Sequence, residues 1–140
     1  MEAWVLIFQT VINGMPYLVS HFFVASVVFV LGVWLYILVT PMKELKLIRE
    51  GNTAAAVSFF GACFGIVIPV AACLASSINV ADIIIWGVIS VGIQIICFRV
   101  VDLFLKDLPK RIEKGEISSS VVLMSFKISI ALLNAAAVGG

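Results

Sequence analysis

The chain has 140 residues, 63% hydrophobic and 12% charged, with a net charge of +1 and a mean hydropathy of +1.22. A water-soluble domain of this size must cover its core with far more polar surface, whereas lipid accepts an exterior as apolar as the interior. The small net charge gives no reason to expect nucleic-acid binding, which requires a dense basic face.

Residues 2–12 (EAWVLIFQTVI) are apolar but too few to cross a hydrocarbon core of roughly 30 Å. Asn13-Gly14-Met15-Pro16 then reads as a break, and Pro16 suits the first turn of a following helix. Segment 1–16 is therefore expected to be a short helix, lying on the membrane interface or packed against the rest. No Lys or Arg precedes Lys43, so the segment lacks the basic region of a signal peptide. The first predicted span covers residues 17–39, the second about 54–75, the third 83–105 and the fourth 118–138. Each is long enough to cross the bilayer as a helix and too long for a barrel strand of about ten residues. The expected fold is all-α: an integral-membrane four-helix bundle forming a single domain over residues 17–140, preceded by the short helix.

The loop between spans one and two carries Lys43, Lys46 and Arg49, and that between spans three and four carries Lys106, Lys110, Arg111 and Lys114. The opposite side has no Lys or Arg, which predicts cytoplasmic basic loops with both termini outside. Trp4, Tyr17 and Trp86 fall at the outer boundary and Trp34 and Tyr36 at the inner one, as an aromatic belt would have it. Thr53 and Ser118 are expected to cap helices two and four, and Asp82 helix three. Cys63, Cys73 and Cys97 all sit inside apolar runs without a CxxC pair, so neither a disulfide framework nor a metal site is expected, and no cofactor is implied.

Sliding the chain by 64 residues aligns Ile48, Gly51, Val57, Ile66, Ala71 and Ala72 with Ile112, Gly115, Val121, Ile130, Ala135 and Ala136. The match coincides with the loop-to-helix boundary in both halves, suggesting two helical hairpins (17–75 and 83–138) in the same orientation. Gly61-xxx-Gly65 and Ser125-xxx-Ser129 each put small side chains one turn apart, the pattern by which helices approach closely in lipid. Pro69, which frees the carbonyl of Gly65, is a candidate kink.

The segment LIREGNTAAAVSFFGACFGIVIP, the later Ile-xxx-Gly loop and the Asn-Ala-Ala ending resemble the YjfL-type family of small bacterial inner-membrane proteins, a domain of unknown function (350). Gly51-Asn52-Thr53-Ala54-Ala55 and Pro69 are the more specific parts of the match. The resemblance covers the chain from the first span onward and implies a four-helix protein of the bacterial plasma membrane. It implies no activity and no catalytic residues.

Lys127 is out of place in a span. It falls near the bilayer midplane, where a Lys costs roughly 2.5–3.5 kcal/mol on insertion scales, so it should face protein or water. Gln94 reaches a similar depth and is the first partner expected for it, while Asn134 and Ser120 extend a polar stripe outward and inward. Arg99 and Asp102, three residues apart, are placed to pair locally. His21, near the outer end of span one, suits an interfacial position. No nucleophile and base share a depth, so the chain is not expected to be an enzyme. Two readings follow. The first is a membrane protein that associates laterally with copies of itself or another membrane protein. The second is a small oligomeric ion or solute channel or transporter built around Lys127, Gln94 and Asn134.

Overall fold

The computed structural model describes residues 2–140, in which the chain forms six helices: α1 Glu2–Val39, α2 Glu44–Arg49, α3 Thr53–Ser76, α4 Val80–Phe104, α5 Asp107–Glu113 and α6 Ile117–Gly139. There is no strand among the described residues. Helices α1, α3, α4 and α6 are long and apolar enough to span a membrane. At about 1.5 Å per residue, the 24, 25 and 23 residues of α3, α4 and α6 measure about 35–38 Å.

The break expected at Asn13–Pro16 does not occur: α1 is one helix of 38 residues with Pro16 inside it. Proline there frees only the Ile12 carbonyl, whereas ending a helix amid apolar sequence strands several backbone groups that lipid cannot satisfy. The first residues of α1 lie almost wholly outside the bundle; Trp4, Phe8 and Ile12 are 76%, 70% and 57% exposed. The buried seam of α1 begins only at His21 and continues through Ala25, Val28, Gly32 and Tyr36, a spacing of three and four.

Helices α3 and α6 run parallel and make the most extensive contact in the molecule. At their start the Asn52 Nδ2 group donates to the carbonyls of Ile112 and Glu113 (3.0 and 3.2 Å). Midway, Gly61 lies against α6 so closely that a Cβ there would fall 2.7 Å from the Met124 Cα. Gly65 instead admits the Phe98 ring of α4, which an added Cβ would meet at 2.5 Å. Ser125 and Ser129, the matching pair on α6, are exposed on the outside of the bundle. Pro69 is buried and α3 continues through it.

Each short helix ends in the same turn. Gly51 (φ 87°) and Gly115 (φ 88°) take the left-handed conformation that favours glycine. Their N–H groups bond Ile48 and Ile112 carbonyls, while the following Asn52 and Glu116 N–H groups bond Leu47 and Arg111. This is the Schellman arrangement, which satisfies the last carbonyls of a helix. The caps differ from those expected. Asn52, not Thr53, caps α3, its Oδ1 accepting from the Ala55 N–H; Asn79, not Asp82, caps α4 by accepting from the Asp82 N–H. Glu116 precedes α6 and makes no cap bond, and Ser118 donates to its carboxylate instead of capping. In all three cases the capping position lies one to three residues earlier than the residue favoured by composition.

Candidate functional site

Lys127 lies ten residues into α6, about 15 Å from its start and near mid-helix. Its side chain is 1% exposed. The amine does not meet Gln94, as the sequence suggested; it donates to the Tyr36 hydroxyl of α1 at 2.8 Å. Tyr36 and Phe98 form the walls around it, their ring centroids 4.8 and 5.3 Å from Nζ and their planes edge to face. The Phe98 ring lies within cation–π range of the amine, which meets Tyr36 at its hydroxyl. Gly65 is what makes room for Phe98, so its lack of a Cβ serves the site.

Tyr36 was expected in the aromatic belt beside Trp34, but it is 2% exposed while Trp34 is 58% exposed. It is the fifth member of the α1 seam and so points inward. On its far side lies Glu44, the first residue of α2, itself only 4% exposed and accepting a hydrogen bond from the buried Ser58 Oγ at 2.7 Å. Burial pushes the Glu44 carboxyl above its usual value; the charge of Lys127 and the hydroxyls of Ser58 and Tyr36 pull the other way. Lys127, Tyr36, Glu44 and Ser58 thus join the middle of the bundle to its basic-loop end.

Toward the other end, an amide layer closes over Lys127. Gln94 Nε2 donates to the Lys127 backbone carbonyl at 3.1 Å. Asn134 Nδ2 donates to Gln94 Oε1 (3.2 Å) and to the Ser90 carbonyl (3.0 Å), and Ser90 Oγ donates to Asn134 Oδ1 (3.3 Å). Lys127, Gln94 and Asn134 are therefore brought together, but through the backbone of Lys127. Ser120, on the same face, is buried and bonds the Ile117 carbonyl.

Arg99 Nη1 stands 3.9 Å from Asp102 Oδ2, with the Arg99 side chain 46% and the Asp102 side chain 11% exposed. His21 is 6% exposed rather than interfacial; it stacks on Tyr17, and its Nδ1 lies 2.9 Å from the Tyr17 carbonyl. Its Nε2 and the Ser119 Oγ are the buried side-chain polar atoms without a partner among the described residues. No group of three His, Cys, Asp or Glu side chains there converges as a metal site.

Sequence reasoning missed Tyr36, Glu44, Ser58 and Ser90. The heptad-like run from His21 to Tyr36 held the signal for Tyr36, because Gly32 and Ala25 mark the face where helices approach. Glu44 gave no local signal: it stands among loop charges and is buried only because α2 folds back onto α3.

Fold and site together define a multi-pass helical membrane protein with a buried lysine amine hydrogen-bonded to a tyrosine inside its bundle. The chain belongs to the family described as Domain of Unknown Function (DUF350), whose model matches residues 9–138. It is 27% identical over 117 residues to the UPF0719 inner membrane protein YjfL of Escherichia coli (strain K12), covering 84% of this chain and 89% of that one. The protein of the same description in Escherichia coli O157:H7 matches to the same extent. No solved structure matches the chain.

Proposed function

We propose that this protein passes or senses protons or another small ion at the Lys127 site, without enzymatic chemistry. The observation that carries the reading is the Lys127 amine, buried at mid-helix and bonded to Tyr36 with the buried acid Glu44 beyond it. A charge inside a membrane bundle is expensive to place, and such charges concentrate where ions or protons move. A protonatable amine, a phenol and a carboxyl in series supply the groups a proton needs for stepwise transfer. By the distribution of Lys and Arg, the basic-loop end carrying Glu44 faces the cytoplasm of a bacterial cell and both chain ends face outward. The twin Schellman turns at Gly51 and Gly115 support two related hairpin halves.

The test is proton flux in liposomes under an imposed pH gradient, comparing the wild type with Lys127→Met and Lys127→Arg. Wild-type flux that Lys127→Met abolishes supports the reading. Absent flux, or flux identical in the variants, retires it. Lateral assembly with copies of this chain is favoured by a separate observation: Ser125 and Ser129 lie one turn apart on the exposed face of α6, unused by the chain's own helices. Cross-linking at these positions in native membranes reads that assembly, and an uncross-linked monomer argues against it.

A further inference from the structure

Two cavities meet beneath Lys127. The larger, of about 370 Å³, opens between the first basic loop, the end of α4 and α5, and is lined by Arg99, Asp102, Lys106 and Lys110 among others. The smaller, of about 10 Å³, lies between Tyr36, Thr40, Leu123 and Lys127. Pro41, Met42, Asp102 and Pro109 line both, so the open space and the void at the buried amine adjoin at these residues. A void of about 10 Å³ is at the size that admits one water, and water stays in such a space only with two to four polar partners. Tyr36 Oη, Thr40 Oγ1, the Asp102 carboxyl and the Lys127 amine are the polar groups of the residues around this void. The opposite side of the amine differs. There Gln94 and Ser90 are fully buried, Asn134 is 8% exposed, and all three bond one another or the Lys127 backbone.

We propose that the Lys127 amine exchanges water and protons at least ten-fold faster with the side of the membrane bearing the basic loops than with the other, through a neck at Asp102 and a single water site beside Thr40, so that crossing the amide layer is the slow step of any flux. A proton arriving in the open cavity passes to that water as a second proton leaves it for the amine, forming the ammonium; the reverse sequence returns it. The titratable groups within electrostatic reach of the amine come from four helices: Tyr36, its hydrogen-bond partner, from α1, Glu44 from α2, Cys63 from α3 and Asp102 from α4. The side chains of the amide layer do not themselves titrate between pH 4 and 10, the nearest thiol being Cys73 of α3 beside Ser90. The proton role presupposes the ion-handling reading above, but access and flux fail separately.

Access is read without flux. In a background lacking Cys63, Cys73 and Cys97, single cysteines are placed at Thr40, Leu123 and Ser90, with Lys46→Cys as the marker for the basic-loop side. Sealed vesicles of both orientations are exposed to Ag⁺, an ion small enough for the neck, then solubilised, and the remaining thiol is alkylated and counted by mass. Thr40→Cys and Leu123→Cys should be protected from the side that labels Lys46→Cys at least ten-fold faster than from the other side. Ser90→Cys should resist from both. Using two positions covers the case in which Leu123→Cys does not fold. Equal protection from both sides, faster protection from the side opposite Lys46→Cys, or no protection at position 40 overturns the proposal.

Discussion

Replacing Lys127 by Met keeps the unbranched stem and removes the amine, so the packing against Tyr36 and Phe98 survives while two electrostatic partners are stranded. The Tyr36 oxygen loses its donor, a loss of about 1 kcal/mol. Glu44 loses a nearby charge that favours its ionised form, although Tyr36, not Glu44, accepts from the amine. Glu44 can escape by taking a proton, at about 1.4 kcal/mol per pH unit above its folded value, so the cost of Lys127→Met should shrink toward pH 5. Glu44→Gln removes the stranded charge and leaves an amide oxygen to accept from Ser58. The double variant should therefore be more stable than Lys127→Met alone at pH 7, with a coupling of about 1–3 kcal/mol. Thermal unfolding in mild detergent, repeated at pH 5 and pH 7, measures the four corners of the cycle. Additive single effects at both pH values would refute the idea that Lys127 and Glu44 act as one site.

The glycines give a paired test of packing: Gly61→Ala should cost about 1–3 kcal/mol by forcing α6 from α3, while Gly92→Ala, with open space around it, should be neutral or gain up to about 1 kcal/mol. A detergent melt that ranks the two equally contradicts the close approach at Met124. Asn52→Ala removes a cap bond and two bonds to the end of α5, and should lower stability by about 1–2 kcal/mol, with earlier proteolysis in the α2–α3 loop. Two carboxyls should show opposite pH signatures. Glu44 is raised by burial, so its contribution is fully present below the ordinary value of 4.5 and is lost as pH rises through its folded value. Glu116 is held down to about 2 by the Arg111 hydrogen bonds and then by Ser118, so its contribution is present above 4.5 and is lost as pH falls toward 2. Melting profiles of Glu44→Gln and Glu116→Gln across pH 2–8 should differ from wild type with opposite signs above pH 4.5, Glu44→Gln gaining stability relative to wild type and Glu116→Gln losing it, weakly for the exposed Glu116.

The spans were legible because lipid imposes a strong constraint: α3, α4 and α6 start within three residues of where the apolar runs begin, and no soluble alternative competes. Lys127 stood out by the same constraint, since its depth follows from counting along one helix. Its partner did not, because depth fixes height but not azimuth. Gln94 has the right height yet approaches the Lys127 backbone, while Tyr36 reaches the amine from a position assigned to the interface. The continuity of α1 was misread because Asn13-Gly14-Met15-Pro16 is a turn signal in water, where a helix end is easily solvated. Ser125 and Ser129 repeat the spacing of Gly61 and Gly65, but periodicity cannot say which face of a helix meets its own bundle.

The central claim is that the Lys127 amine stays in the bundle interior against Tyr36 instead of extending to a membrane surface. Solid-state NMR on lysine-¹⁵N, tyrosine-¹³C protein in bilayers reads it directly, with Lys127→Met assigning the signal. One lysine Nζ among the six should show a through-space contact to the Tyr36 ring and none to lipid headgroups. A Lys127 amine in contact with lipid headgroups, with no tyrosine contact, would contradict the site from which everything else is built.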